Sequence, residues 1–380
     1  MKHFFIGAVL AAFFVGCTQQ RGVTLALTGL DAEDSVKIMY ENLADNARKI
    51  PSDTFAIPRG RLFIPTAECE PAIYSIYKLP RHFPDGTMEA MSMHGIYLPV
   101  LPGAAINVEG DFKNYTISGD TPFYKELAAI EAQIKPLRGE AFAATVAAYD
   151  KQCPEARRDS LAAVAAACEE NISQIVKSFI ADNADSDVAL YAFYHYADIE
   201  KDYDALQALS ERVRRGIFAS YYNKIVERYD KIQKQKEALK LVTDGMTAPD
   251  FTLRSISGED VTLSSLRGKY VVLDFWGTWC GWCIKGIPEM KKMYQKYSNR
   301  LEVVGIARGD TEEAWKKSVA ANELPWTNLI NGTEENNLPE KYAIKGYPTK
   351  IILDGEGRII KTILGESPAF YNCIDSLMAL

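Results

Sequence analysis

The chain has 380 residues, 47% of them apolar and 24% charged, with a formal net charge of −7. That length is too great for one ordinary core and implies two or three domains, while the composition excludes a disordered or repeat-biased chain. No block of Lys and Arg stands out, so no nucleic-acid or other polyanionic partner is expected.

Lys2 precedes an apolar run from Phe4 to Val15. The run is short for a bilayer span but suits the core of a signal peptide. It ends in Phe14-Val15-Gly16-Cys17, and the polar Thr18-Gln19-Gln20 follows. Small residues ahead of a cysteine resemble the lipobox of bacterial lipoproteins, with Phe14 where leucine is usual. The resemblance implies removal of residues 1–16 as signal peptide and a diacylglyceryl group on the Cys17 thiol. Its further implication is a protein of the cell envelope, lipid-anchored and facing the periplasm. The alternative is an ordinary secretory signal whose core happens to end near a cysteine. No later stretch approaches the ~20 continuous apolar residues of a membrane span.

Residues 17–120 read as a β-rich N-terminal domain. Short runs at Val23–Leu27, Val36–Tyr40, Ala72–Tyr77, Ile96–Val100, Ile106–Val108 and Tyr115–Ser118 are separated by Gly, Pro and Asp signals such as Pro84-Asp85-Gly86. Many short strands at this spacing predict a small antiparallel, sandwich-like domain. Residues 121–242 read as a helical region. Helical spacing covers Lys125–Ala148, Glu155–Ile180, Val188–Tyr196, Tyr203–Arg212 and Ile217–Lys240. In the last of these, Tyr221, Tyr222, Ile225, Tyr229 and Ile232 read as a packing surface rather than a cofactor site. Residues 243–249, with Gly245 and Pro249, read as a linker. From 250 to 380 strands alternate with helices, which predicts an α/β domain with helices on both faces of its sheet.

The seven cysteines are 17, 69, 153, 168, 280, 283 and 373. Cys153 and Cys168 would lie about 20 Å apart along one helix, beyond disulfide reach. Cys69, Cys168 and Cys373 read as small buried hydrophobes. Cys280 and Cys283 differ. Three positions apart at the start of a helix, they share a face and close a disulfide with little movement. Cys280 follows the apolar strand Tyr270–Trp276 through Gly277-Thr278-Trp279, which places it at the helix N-terminus. Unpaired amide groups and the positive end of the helix dipole stabilise a thiolate there. Cys283, one turn inside, is expected to be more buried and harder to ionise. The asymmetry assigns roles: Cys280 attacks a partner disulfide, and Cys283 resolves the mixed disulfide. The same spacing is also half a zinc site. However, His3, His82, His94 and His195 all lie outside 250–380, and Cys373 is the one other cysteine there. No metal and no cofactor are therefore expected. Asp274, a carboxylate inside an otherwise apolar strand, is costly unless used or paired. It is either used in the chemistry or a strand-end residue that reaches solvent.

The run Val272-Leu273-Asp274-Phe275-Trp276-Gly277-Thr278-Trp279-Cys280-Gly281-Trp282-Cys283 resembles the active-site strand, turn and helix of thioredoxins. Pro288 matches the proline in that helix, and Ala343-Ile344-Lys345-Gly346-Tyr347-Pro348-Thr349 resembles the loop whose proline is cis. Asp354-Gly355-Glu356 fits the same pattern. The resemblance implies a thioredoxin-like fold for this domain, a redox-active Cys280–Cys283 disulfide, and Asp274 as the base that takes the Cys283 proton through water. It also implies a substrate strand pairing beside Pro348, with Trp279, Gly281, Trp282 and Tyr347 completing the substrate-binding surface. Trp282 either packs on a partner or covers the disulfide.

Thr247-Ala248-Pro249-Asp250-Phe251-Thr252-Leu253, then Leu263–Gly268 and Pro325-Trp326, are similar to TlpA/ResA-like envelope oxidoreductases over residues 245–380. Gly119-Asp120-Thr121-Pro122-Phe123 and the helices after it are similar to the front half of two-domain lipoproteins of Bacteroidetes. Together they imply a membrane-anchored thiol–disulfide oxidoreductase that reduces disulfide-containing protein substrates. Its electrons would come from an upstream membrane donor, in some members for cytochrome c maturation. ResA-like proteins carry a glutamate three residues after the second cysteine, where this chain has Gly286. Trp282 stands where proline is frequent. Both departures weigh against the cytochrome-specific role. Other activities consistent with the motif are a thiol oxidase or isomerase and a peroxiredoxin-like peroxidase. The last needs a threonine three residues before the reactive cysteine, where Gly277 stands. A partner-binding lipoprotein, working through residues 22–240, is a different class again.

If Cys17 is lipidated, the mature chain begins at Cys17 and partitions into detergent with a diacylglyceryl mass on that residue. Cys17→Ser should move the protein to the soluble fraction; an unmodified Cys17 in membrane-extracted protein would contradict the anchor.

Overall fold

The computed structural model describes residues 21–43, 51–66, 69–83, 85–90, 94–331 and 337–379. Residues 1–16, expected from sequence to be a signal peptide, and Cys17 lie outside them. The chain divides into two compact units, residues 1–229 and 230–380.

In the first unit the strands are β1 (Gly22–Leu27), β2 (Ser35–Asn42), β3 (Ser52–Ala56), β4 (Arg61–Pro65), β5 (Ala72–Lys78), β6 (Gly95–Val100), β7 (Ile106–Gly110) and β8 (Tyr115–Gly119). They form two four-stranded sheets, ordered β4-β1-β7-β8 and β3-β2-β5-β6. Alternate residues of both sheets, such as Val23 and Leu25 of β1 and Ile96 and Leu98 of β6, enter one shared core. The pairing is antiparallel as expected, except that β1 and β7 run parallel. The many residues between those two strands permit that crossover. β3 and β4 carried no readable signal because they are edge strands. β3 buries nothing and β4 buries Ile64 alone, so neither alternates.

Helices follow: α1 (Pro122–Ala148), α2 (Glu155–Asp182), α3 (Asp187–Tyr196), α4 (Tyr203–Ala208), α5 (Glu211–Arg214) and α6 (Ala219–Leu241). α1 lays Tyr124, Leu127, Ile130 and Ile134 on the core at helical spacing. The Tyr124 hydroxyl donates to the Pro99 carbonyl at 3.0 Å, which ties that helix to β6. The single helix expected over 203–212 is two helices. Leu209 turns extended between them, and the Ser210 hydroxyl accepts from the Val213 amide as the cap of α5. Cys69, Cys153, Cys168 and Cys373 are all unpaired. Cys168 is buried, while Cys69 and Cys373 pack half-buried against hydrophobic cores.

The second unit contains β9 (Thr252–Arg254), β10 (Asp260–Thr262), β11 (Tyr270–Trp276), α7 (Gly281–Tyr297), β12 (Leu301–Arg308), α8 (Glu312–Ala321), β13 (Thr327–Asn331), α9 (Leu338–Lys341), β14 (Thr349–Leu353), β15 (Ile359–Leu364) and α10 (Pro368–Met378). Five strands form a mixed sheet ordered β13-β12-β11-β14-β15, with β11 central. β11 runs parallel to β12 and antiparallel to β14. Successive β11 residues face opposite ways. Leu273 and Phe275 pack with Tyr342, next to α9, while Val272 packs with Met290 of α7 and Phe370 of α10. Asp274, in phase with Val272, therefore points to the α7 and α10 side.

Residues 243–249, read from sequence as a linker, are hydrogen-bonded into this unit. The Gly245 amide donates to the Ile359 carbonyl at 2.7 Å and the Ala248 amide to the Gly357 carbonyl at 2.9 Å. Val242 and Ala248 are buried in its core. No helix among the described residues is long and apolar enough to cross a membrane.

Candidate active site

β11 ends at Trp276 and α7 begins at Gly281, so the chain turns from strand to helix within Gly277–Cys280. Three tethers hold that turn. The Cys280 amide donates to the Gly277 carbonyl at 3.0 Å. The Thr278 amide donates to the Asp310 carboxylate at 3.0 Å, and the Thr278 hydroxyl donates to the same group. The Trp279 indole donates to the Arg308 carbonyl at 2.9 Å. A Cβ at Gly277 would stand 2.5 Å from the Trp279 indole nitrogen, so a larger residue there would displace that ring from its hydrogen bond.

Cys280 is the N-cap of α7 and is joined to Cys283 in a disulfide, with Cα atoms 5.3 Å apart. Its Sγ accepts from the Cys283 amide at 3.2 Å, so the sulfur lies among the unpaired N–H groups of the first turn. The expected difference in burial is absent: Cys280 is 6% exposed and Cys283 7%. Both cysteines belong to one buried cluster with Trp276 and Trp315, against which Tyr347 packs. Position on the helix, not burial, distinguishes the two sulfurs.

The Tyr347–Pro348 peptide bond is cis. The Tyr347 ring meets that of Trp279 edge-on, with centroids 5.2 Å apart. Trp279, Trp282 and Leu364 are mostly exposed, and Lys285 lies over the face of Trp282 with its ammonium 4.9 Å from the ring centroid. Trp282 thus stands out from the protein rather than being sealed over the disulfide. Gly281 is open, with no atom within 4 Å of where a Cβ would lie.

Asp274 is buried, which removes the reading of a strand-end carboxylate in solvent. It faces Lys350 directly across the β11–β14 pairing. The ammonium stands 3.7 Å from Asp274 Oδ1, which has no hydrogen bond. The same ammonium donates to Glu366 Oε2 at 2.8 Å, and the Tyr371 hydroxyl donates to Glu366 Oε1 at 2.6 Å. Burial holds the Asp274 carboxyl above the ordinary carboxylate range; Glu366 pushes the same way and Lys350 opposes it. Lys350, Glu366 and Tyr371 were not singled out from the sequence. Lys350 offered a signal like that of Asp274, a charge within an otherwise apolar strand, but Glu366 follows β15 with nothing in its neighbours to mark it. Among the described residues, no group of three or more His, Cys, Asp or Glu side chains is placed to hold a metal ion.

This order of strand, capped helix and cis-proline loop on a mixed sheet is the thioredoxin-like arrangement. The model of the AhpC/TSA family matches residues 245–362. The thiol-disulfide oxidoreductase ResA of Bacillus cereus (strain ZK / E33L) is 34% identical over 124 residues, covering 32% of this chain and 70% of that protein. The thioredoxin-like protein YneN of Bacillus subtilis (strain 168) is 35% identical over 121 residues, covering 31% and 69%. A solved structure, the thioredoxin domain of a thiol-disulfide oxidoreductase from Bacteroides vulgatus, is 30% identical. That match covers 36% of this chain and 97% of that one, with a TM-score of 0.34. The chain belongs, through its C-terminal third, to the AhpC/TSA family of thioredoxin-like proteins, and it is an oxidoreductase.

A carboxyl whose folded-state pKa is raised binds its proton more tightly in the folded than in the unfolded chain. Its contribution to stability is complete below the unfolded value and is lost as pH rises through the folded one. Asp274→Asn should therefore raise the urea midpoint of the oxidised protein at about pH 7, and the gain should vanish near pH 3. An equal gain at both pH values would contradict burial of an ionising carboxylate.

Proposed function

We propose that the protein is an envelope thiol–disulfide oxidoreductase that reduces disulfides in protein substrates with the Cys280/Cys283 dithiol. The observation that carries this reading is a disulfide whose first sulfur caps a 17-residue helix, reached from a strand that carries a buried, raised carboxyl. In the reduced enzyme the Cys280 thiolate attacks one sulfur of a substrate disulfide. A Cys280–substrate disulfide forms and the first substrate thiolate leaves. Asp274 accepts the Cys283 proton, through water. The Cys283 sulfur then attacks Cys280 Sγ, which breaks the mixed disulfide, releases the second substrate thiol and leaves the enzyme disulfide. Two electrons pass from enzyme to substrate, and an upstream membrane donor restores the dithiol. Trp279, Trp282 and Tyr347 offer an apolar surface around the sulfurs for the substrate chain, with Gly281 and Pro348 letting its backbone approach. Cys17 would hold the enzyme at the membrane, facing the periplasm.

A peroxidase reading has no comparable support. Gly277 stands where the peroxide-binding threonine would be, and the Thr278 hydroxyl is committed to Asp310.

Cys283→Ser should accumulate covalent adducts with substrate proteins that thiol reductants release, whereas Cys280→Ser should form none. Asp274→Asn should slow the resolving step by roughly 100-fold near neutral pH. Adducts on Cys283 rather than Cys280 in the reciprocal variants, resolved by peptide mass spectrometry, would reverse the assigned roles.

A further inference from the structure

Gly286 lies one turn beyond Cys283 on the same face of α7, and it is buried. A Cβ at that position would come within 2.5 Å of the Glu366 carboxyl carbon and overlap Oε2. The Glu366 carboxylate, supplied from the turn between β15 and α10, thus fills the space a side chain of the helix would otherwise take. It is not alone there. Lys350, 2% exposed, has Glu366 and Asp274 as its two ion-pair partners among the described residues. The contacts are unequal. Glu366 holds the ammonium at hydrogen-bond distance, 2.8 Å, while Asp274 stands at 3.7 Å with Oδ1 unbonded.

We propose that Glu366 is a positioning residue for the resolving step: by engaging Lys350 it keeps Asp274 under-neutralised and so able to take the Cys283 proton. The proposal rests on the thiol-exchange reading above. Two carboxylates and one ammonium leave the buried array one negative charge in excess, and a proton taken up by Asp274 removes it. Without the Glu366 charge, Lys350 is free to close on Asp274 and hold it ionised, which makes it a weaker base. Glu366 also raises the Asp274 carboxyl directly, as a like charge nearby. The Tyr371 hydroxyl fixes the other Glu366 oxygen, and the Lys350 ammonium lies 5.5 Å from the Phe370 ring centroid, so both residues are held from α10. The charged and titratable groups around Glu366 are Asp274 from β11, Lys350 from β14, Tyr371 from α10 and Glu289 from α7, and Cys283 lies one turn before Gly286 on the same face of α7.

The test uses the reduced full-length protein mixed with 5,5′-dithiobis(2-nitrobenzoate). The Cys283-dependent second phase of thionitrobenzoate release, identified by its loss in Cys283→Ser, is followed across pH. Glu366→Gln should move the midpoint of that phase down by about one pH unit and lower its plateau. Tyr371→Phe, which removes only a hydroxyl, should move it a smaller distance the same way. In an Asp274→Asn background Glu366→Gln should change nothing further. An unmoved midpoint in both single variants, or the same shift persisting without Asp274, overturns the proposal. Absence of a second phase in the wild-type protein would instead defeat the exchange reading first, and the proposal with it.

Discussion

Between Trp276 and Cys280 the chain passes from the end of a central strand to the start of a helix, and the rest of the site hangs on how that short turn is held. If the turn slackened, Cys280 would leave the cap position and lose the amide of Cys283 that its sulfur accepts from. Two of the three tethers come from outside the turn: the Arg308 carbonyl at the end of β12 and the Asp310 carboxylate just beyond it hold Trp279 and Thr278. The order of the sheet makes this possible. β12 lies parallel to β11, so the ends of the two strands emerge side by side.

The same sheet sets the electrostatics of the buried carboxyl. Asp274 and Lys350 are paired across β11 and β14, on the side that α7 and α10 cover. A buried ion pair at this spacing is a poor device for stability, because desolvation offsets most of the attraction. It is a good device for keeping a carboxyl sensitive to small changes in charge, since the carboxyl is neither free in water nor fully neutralised. The proposed thiol chemistry would produce such changes, as a proton leaves Cys283 and returns.

How much of this could be read from the residues follows from the range of each interaction. The β11–α7 segment was legible because its signals are local: an apolar strand, two cysteines at helical spacing, and one carboxylate out of place. The partners of that carboxylate were not. Lys350 and Glu366 reach it only through strand register and a later turn, which no local pattern records. The edge strands β3 and β4 hid for a different reason, since strands that bury little show little alternation. The segment 243–249 looked like a linker because Gly245 and Pro249 punctuate it. Its backbone hydrogen bonds to residues 357 and 359 could not be seen from composition.

What separates a reductase from an oxidase on this scaffold is the relative stability of the dithiol and disulfide forms, in which ~30 mV corresponds to ~1.4 kcal/mol. The reduction potential of the Cys280/Cys283 couple, measured by equilibration with a dithiol buffer of known potential, tests the account most directly. A value of about −270 mV agrees with a reductase, and a value of about −120 mV would make the protein an oxidant and contradict it.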